Sequence, residues 1–192
     1  MLPLSAIYWD PKPEIFILPV VHWPILWYGV LFALAFAAGF PLFVKILVRY
    51  FQASFGGSDR ELKKRAVGIA DRFTVYMLVG TVLGARIGHF LFYEHPAEYF
   101  DDPLQIFRVW EGGLASHGAA VGIILACIAF SWRIRSSEKT LTPVRLLDFL
   151  SIPAALGGAF IRVGNFFNQE ILGKPTDVPW AVVFGHPVDR SL

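Results

Sequence analysis

The sequence is poor in charge and nearly devoid of cysteine. Asp, Glu, Lys and Arg make up 17% of its 192 residues, whereas soluble domains carry about 25%. Cys127 is the only cysteine, which excludes an intramolecular disulfide and offers no redox motif. The first 23 residues lack a basic start and contain four prolines, so we expect an irregular or interfacial arm rather than a signal peptide.

Apolar and aromatic residues are abundant instead. Hydrophobic residues make up 55% of the chain, including 18 Phe and 6 Trp, and the mean hydropathy is +0.54. One small globule cannot bury this much apolar surface, so the composition predicts a protein embedded in lipid, with aromatic rings anchored at the membrane interface. The net charge of +2 is small, and we expect no nucleic-acid partner.

Four long apolar segments predict membrane-spanning helices. Residues 23–44, 73–93, 114–132 and 149–167 are each long enough to cross or nearly cross a hydrocarbon core of ~30 Å at ~1.5 Å per residue. We therefore predict an all-α integral membrane protein, a polytopic helical bundle with about four transmembrane helices. The whole chain, 1–192, would be a single transmembrane domain with an arm at 1–22, a bundle at 23–167 and a final segment at 168–192.

The charges between these segments predict the orientation. The first and third connections carry seven and four basic residues, whereas the second carries five acidic residues and one arginine. The positive-inside rule places the two basic connections in the cytoplasm. The N-terminus, the second connection and everything after residue 167 would then lie outside.

Small residues recur at helix-packing spacing, which predicts close contacts within the bundle. They are Gly80, Gly84 and Gly88 in the second segment, Gly118 and Gly122 in the third, and Ala154 and Gly158 in the fourth.

Polar side chains from all four segments fall at one predicted depth, toward the outer face. They are Tyr28, Arg86, His89, His117, Arg162 and Asn165. An arginine inside a membrane costs about 2.5 kcal/mol or more unless it finds a partner. Two arginines with few acids nearby indicate that the partner is an anion, and a guanidinium binds phosphate oxygens at two points. We predict a pocket for an anionic lipid that opens to the outer leaflet.

A purely structural role is the alternative for each residue. Arg162 would snorkel to the interface or pair with Glu170, and Arg86 would pair with Glu94. His117 would bind a backbone carbonyl. The other candidates would be helix caps, interhelical contacts or an interfacial ring: Asn165, Asn168 and Tyr28.

Four ordered blocks resemble one known family. Residues 159–174, AFIRVGNFFNQEILGK, resemble the signature of the prolipoprotein diacylglyceryl transferases, which are bacterial inner-membrane enzymes. The blocks LWYGV, GARIGHFLFY and FRVWEGGLASHGAAVG also fit, in the family's order. Family members usually continue with a further conserved block, another essential arginine and more spans. The resemblance therefore predicts that this chain lacks the C-terminal part of the family architecture.

The resemblance implies the first step of bacterial lipoprotein maturation. The sn-1,2-diacylglyceryl group of phosphatidylglycerol would move to the lipobox cysteine thiol of a preprolipoprotein, with no metal or cofactor. The partners would be phosphatidylglycerol, the preprolipoprotein signal peptide and membrane lipids. The protein would be a multi-pass protein of the bacterial inner (plasma) membrane, with its active site toward the outer leaflet.

The resemblance also suggests roles for individual residues. Arg162 would bind the phosphate and stabilise charge on the leaving group, and His117 would accept the thiol proton or orient the phosphate. These two residues are the catalytic candidates. The substrate-binding candidates are Tyr28, Arg86, Asn165, Glu170, Gly118 and Asn168.

Three other functions share parts of this pattern. A non-catalytic protein that binds anionic phospholipid, an incomplete enzyme, would keep the arginine pocket but would not depend on His117. A channel or transporter would use Arg86 and Arg162 to select anions and would not require phosphatidylglycerol. A structural subunit would pair its arginines with acids of a partner protein.

Overall fold

The computed structural model describes residues 7–19, 22–93, 108 and 113–188. Its helices are α1 (Trp27–Phe55), α2 (Asp59–Tyr93), α3 (Ser116–Ile134) and α4 (Pro143–Asn168). All four are long and apolar enough to cross a membrane, and only 11–39% of each most apolar stretch is buried. Apolar side chains that point away from the protein are typical of a lipid-embedded helix. The predicted all-α, four-span class is confirmed.

The helices at the basic connections are longer than the predicted spans. α1 continues past residue 44 to Phe55, and α2 begins well before residue 73, because Lys, Arg and Glu are good helix formers outside the membrane. Gly56 and Gly57 separate the two helices with φ of 65° and 120°. Ser58 then caps α2: its hydroxyl accepts from the Glu61 N–H at 3.4 Å and donates to the Glu61 carboxylate at 3.0 Å, so its side chain serves as the N-cap.

The described residues fall into two compact units. The terminal unit comprises the described parts of Met1–Pro41 and Pro153–Leu192, and the central unit comprises those of Leu42–Ile152. Both boundaries lie at a proline inside a long helix, Pro41 in α1 and Pro153 in α4. Proline has no N–H to donate to the preceding helical turn, so the helical hydrogen bonding is interrupted where the units divide.

A seam of glycines joins α2 to α3 in the central unit. A Cβ added to Gly88 would lie 2.6 Å from the Gly118 Cα, and one added to Gly84 would lie 2.8 Å from the Gly122 Cα. The predicted small-residue contact between these helices is confirmed. The same prediction is wrong for Gly158, because a Cβ there would meet no atom within 4 Å in the described part of the chain.

Aromatic packing forms the core of the central unit near the connections that carry the basic residues. The Phe73 ring lies 5.0 Å from the Phe43 ring and 5.1 Å from the Phe130 ring, between centroids. The Arg65 guanidinium binds the Glu138 carboxylate at two points, 2.8 and 2.6 Å. This ion pair ties α2 to the turn between α3 and α4.

The arm predicted as irregular contains short strands. β1 (Ile7–Trp9) pairs in parallel with β4 (Val182–Phe184), and β2 (Glu14–Ile17) pairs antiparallel with β3 (Pro24–Leu26). These segments are rich in Ile, Tyr, Trp, Phe and Val, which favour strands. The segment after α4 therefore pairs with the beginning of the described chain.

Candidate functional site

The polar run from Arg162 to Glu170 lies at the end of α4 and directly after it. The helix stops at Asn168, and Gln169 follows with a φ of 54°. The Gln169 N–H donates to the Phe166 carbonyl at 3.3 Å, and the Glu170 N–H donates to the Asn165 carbonyl at 3.0 Å. These two bonds form a Schellman motif, which turns the chain sharply and directs Glu170 back along the helix.

Two amides hold the Glu170 carboxylate. The Asn168 side chain donates to Glu170 Oε1 at 3.3 Å. The Asn165 amide, oriented with its nitrogen toward the carboxylate, donates to the same oxygen and to the Ile161 carbonyl, both at 3.2 Å. Asn165 is 5% exposed. The structure thus gives both asparagines a local capping role, which was one of the alternatives open from the sequence.

Arg162 lies three residues before Asn165 and is exposed. Within the described part of the chain, no side chain or carbonyl forms a hydrogen bond or ion pair with its guanidinium. The pairing with Glu170 that the sequence left open is not formed, and Glu170 Oε1 accepts instead from the amides of Asn168 and Asn165. The geometry leaves the arginine available to an anion from outside the protein.

Tyr28, at the start of α1, packs on the signature helix. A Cβ on Gly164 would lie 2.8 Å from Tyr28 Cδ2 and 3.4 Å from the Tyr28 Cα. The glycine of the signature is therefore required for this contact. Within the terminal unit, the structure brings Tyr28 against α4 one residue from Asn165.

Arg86, in the central unit, is 4% exposed. Its Nη1 donates to the Gly113 carbonyl at 3.1 Å, and its guanidinium lies 4.8 Å from the centre of the Phe90 ring. Gly113 has a φ of 72°, and a Cβ there would lie 2.6 Å from Arg86 Nη1. Arg86 therefore holds the backbone that leads into α3. The alternative partner Glu94 lies outside the described residues.

His117 lies on the first turn of α3 and is exposed. Its ring centroid is 5.0 Å from that of Phe92 and 5.7 Å from that of Tyr93. Among the described residues, none forms a hydrogen bond with the imidazole, so the predicted alternative of a carbonyl partner is not observed there. The neighbouring Gly118 is buried in the seam with α2, and the close helix contact accounts for this glycine.

An apolar cavity of about 690 Å³ extends along α2 and α3. It begins near Val75 and reaches Phe92 and His117. Its lining is apolar except for the imidazole and the Tyr76 hydroxyl, which suits a hydrocarbon chain or an apolar peptide segment. Within the described residues, no three His, Cys, Asp or Glu side chains are grouped to hold a metal ion.

Three polar residues of the terminal unit were not among the site residues predicted from the sequence. Gln169 is 3% exposed, and it lies between Asp10 and His186 with hydrogen bonds to both. The hydrogen bonds from His186 and Gln169 lower the pKa of the Asp10 carboxyl. Contacts that span 159 and 176 residues leave no local pattern, so no sequence signal would have found them.

Comparisons with known proteins agree on one family. The family model described as prolipoprotein diacylglyceryl transferase matches residues 15–191. Three relatives carry the name phosphatidylglycerol–prolipoprotein diacylglyceryl transferase. The protein of Protochlamydia amoebophila is 31% identical over 98% of this chain and 71% of its own length. The proteins of Chloroherpeton thalassium and Chlamydia caviae are 42% and 40% identical over 96% and 98% of this chain. The chain spans 64% and 63% of their lengths.

Proposed function

Because the chain belongs to the prolipoprotein diacylglyceryl transferase family, we propose that it transfers a diacylglyceryl group from phosphatidylglycerol to a prolipoprotein cysteine. The cysteine sulfur attacks the carbon of the diacylglyceryl unit that is bonded to the phosphate oxygen. The carbon–oxygen bond to the phosphate breaks, glycerol 1-phosphate leaves, and a thioether forms. The reaction takes place at the outer leaflet of the bacterial inner membrane, where the signal peptide presents its lipobox cysteine.

The state of Arg162 is the observation that carries this proposal. A guanidinium inside a membrane-spanning helix costs about 2.5 kcal/mol or more without a counter-charge. The nearest acid in sequence beyond the helix end, Glu170, is already held by Asn165 and Asn168. A phosphodiester supplies the missing charge and matches the planar fork of the arginine. Arg162 then stabilises the negative charge that develops on the departing phosphate oxygen.

His117 accepts the proton from the substrate thiol. A thiolate is a far better nucleophile than a thiol, and an imidazole is the side chain best suited to take a proton near neutral pH. The exposed ring, at one end of the apolar cavity, supports this role. An apolar cavity that ends at a base suits a substrate with a hydrophobic chain and a reactive polar end.

The remaining candidates divide into two groups. Near the end of α4, the Tyr28 hydroxyl and the Glu170 carboxylate bind the glycerol head group, and Asn165 and Asn168 hold that carboxylate in place. Arg86 is held by the Gly113 carbonyl, which supports its structural alternative. Its contribution is to order the segment that precedes His117.

Transfer of radiolabelled diacylglyceryl to a lipobox peptide in phosphatidylglycerol vesicles tests the function. Arg162→Gln should abolish transfer and weaken phosphatidylglycerol binding about 10- to 150-fold, since a charge-assisted contact contributes about 1.5–3 kcal/mol. His117→Ala should abolish transfer and keep lipid binding. Arg133→Gln is the matched control, because it also replaces an arginine by glutamine but lies at the end of α3 opposite to His117. This variant should keep both transfer and lipid binding.

The result also separates the alternatives. Lipid binding that depends on Arg162 without any transfer would favour a phospholipid-binding protein over an enzyme. Wild-type binding and transfer in Arg162→Gln would contradict the role of this arginine. Anion flux that does not depend on phosphatidylglycerol would favour a channel.

A further inference from the structure

The buried glutamine at the end of α4 links three separate segments of the terminal unit. Gln169 Nε2 donates to Asp10 Oδ1 at 3.0 Å, and Gln169 Oε1 accepts from the His186 N–H at 2.7 Å. The Gln169 carbonyl accepts from the Val188 N–H at 3.0 Å. One residue therefore bonds to the segment after β1 and to the segment after β4.

Those two segments are also bonded to each other. His186 Nδ1 lies 2.7 Å from Asp10 Oδ1, and the Gly185 N–H donates to the Trp9 carbonyl at 3.1 Å. A Cβ on Gly185 would lie 2.6 Å from Asp10 Oδ1, so only glycine allows this approach. Asp10, Gln169 and His186 are thus each bonded to the other two, through their side chains and the His186 backbone N–H, and we call these three residues the clamp.

Gln169 stands in a backbone conformation that usually favours glycine. Its φ of 54° is in the left-handed region, which glycine adopts without strain and which most other residues disfavour. Glycine is the usual residue at this position of a Schellman motif. Glutamine adds two side-chain hydrogen bonds that glycine cannot make.

The clamp adjoins Glu170 along the chain. Glu170 follows Gln169, its N–H donates to the Asn165 carbonyl, and its side chain receives the amides of Asn165 and Asn168. The Trp9 indole N–H also donates to the Phe166 carbonyl at 2.9 Å. The last turn of α4 is thus held by β1 and by the segment that follows β4.

We propose that Gln169 is a positioning residue, which acts with Asp10 and His186 to fix the Glu170 carboxylate and the last turn of α4 in the geometry that the reaction requires. None of the three needs to touch the substrate. The effect on transfer rests on the proposed function, whereas the effect on the turn itself does not.

Hydrogen exchange of the full chain in phosphatidylglycerol nanodiscs tests the clamp. Gln169→Gly removes both side-chain bonds and still permits the turn. The amides of Glu170 and His186 should then exchange at least about fivefold faster, as for the loss of one hydrogen bond. Gln52→Ala, which removes an exposed bond of the same type to Asp59 at 2.7 Å, is the matched control and should leave both amides unchanged.

A conservative pair of variants tests whether the bonding pattern is responsible. Asp10→Asn keeps an acceptor for Gln169 and a polar neighbour for His186, so it should retain most of the protection that Asp10→Ala loses. Unchanged exchange in Gln169→Gly, or equal losses in the two Asp10 variants, would overturn the clamp.

Transfer kinetics test the positioning role. Gln169→Gly should lower kcat about tenfold or more, because small displacements of reacting groups are costly. The KM for phosphatidylglycerol should change less than about twofold. Faster exchange with an unchanged kcat would overturn the positioning role. If the wild-type chain transfers no label, the proposed function fails, and the exchange of the Glu170 amide alone decides whether the clamp fixes the turn.

Discussion

The contact between α2 and α3 can be tested by adding a single methyl group at Gly88. A Cβ there would lie 2.6 Å from the Gly118 Cα, whereas ordinary contacts begin at 3.4 Å. Since the Cβ is fixed in place by the α2 backbone and the Gly118 Cα belongs to the α3 backbone, neither atom can rotate away. The helices must separate locally by the difference, about 0.8 Å in a packed seam.

The expected cost follows from two opposing contributions. Overpacking of a tight contact costs about 1–3 kcal/mol, and replacing glycine by alanine in a helix returns about 0.5–1 kcal/mol. Gly88→Ala should therefore lose up to about 2.5 kcal/mol of stability. Gly84→Ala should behave in the same way, because its Cβ would lie 2.8 Å from the Gly122 Cα.

Unfolding in mixed micelles of increasing detergent strength measures this loss. Gly68→Ala is the matched control on the same helix, since a Cβ there would meet nothing within 4 Å. This control should be unchanged or up to about 1 kcal/mol more stable. If Gly88→Ala proved as stable as Gly68→Ala, the close approach of the two helices would be refuted.

Two further predictions concern charged contacts outside the membrane. Arg65→Lys should lower the stability by about 1–2 kcal/mol in the same unfolding assay, because lysine replaces two bonds to the Glu138 carboxylate with one; unchanged stability would show that the second bond contributes nothing. The pKa of Asp10 is lowered from 3.8 by the hydrogen bonds from His186 and Gln169, so its stabilising effect is complete above 3.8 and is lost as the pH falls through the lower folded value. The measurement is protection of the His186 amide from hydrogen exchange, corrected for intrinsic exchange, which should persist at about pH 5 and decline only below 3.8. Asp10→Asn should remove this decline. A decline already at about pH 5 would contradict the lowered pKa of Asp10.

The membrane-spanning architecture was predictable because its signals are local. The length of the apolar segments located the four helices. The three-residue spacing of Arg162 and Asn165 placed both residues on one face of the fourth helix. The predicted ends were less accurate. Charged residues mark where a helix leaves the lipid, but they do not mark where the helix ends. α1 continues until Gly56 and Gly57, where φ becomes positive.

The contacts around the candidate site were not predictable in the same way. The sequence left Glu170 as a possible partner of Arg162, but the Schellman turn brings Glu170 back to the amides of Asn165 and Asn168. The bond from Arg86 to the Gly113 carbonyl, 27 residues away, was not predicted either, and a role of Arg86 as phosphate ligand stays a prediction. Each outcome depends on a backbone turn whose direction composition and spacing do not specify.

The sequence by itself determined that the protein lies in a lipid bilayer, how many helices span it and which family signature the chain carries. Hydropathy, charge and motifs can all be read from the order of the residues. Only the tertiary structure decided which polar groups are satisfied within the chain and which are open to a ligand. The parallel pairing of β1 with β4 and the clamp of Asp10, Gln169 and His186 join residues from opposite ends of the chain. Which residues pair in this way depends on the geometry of the packed helices, since a buried polar group without a hydrogen bond is costly and most such groups have a partner nearby.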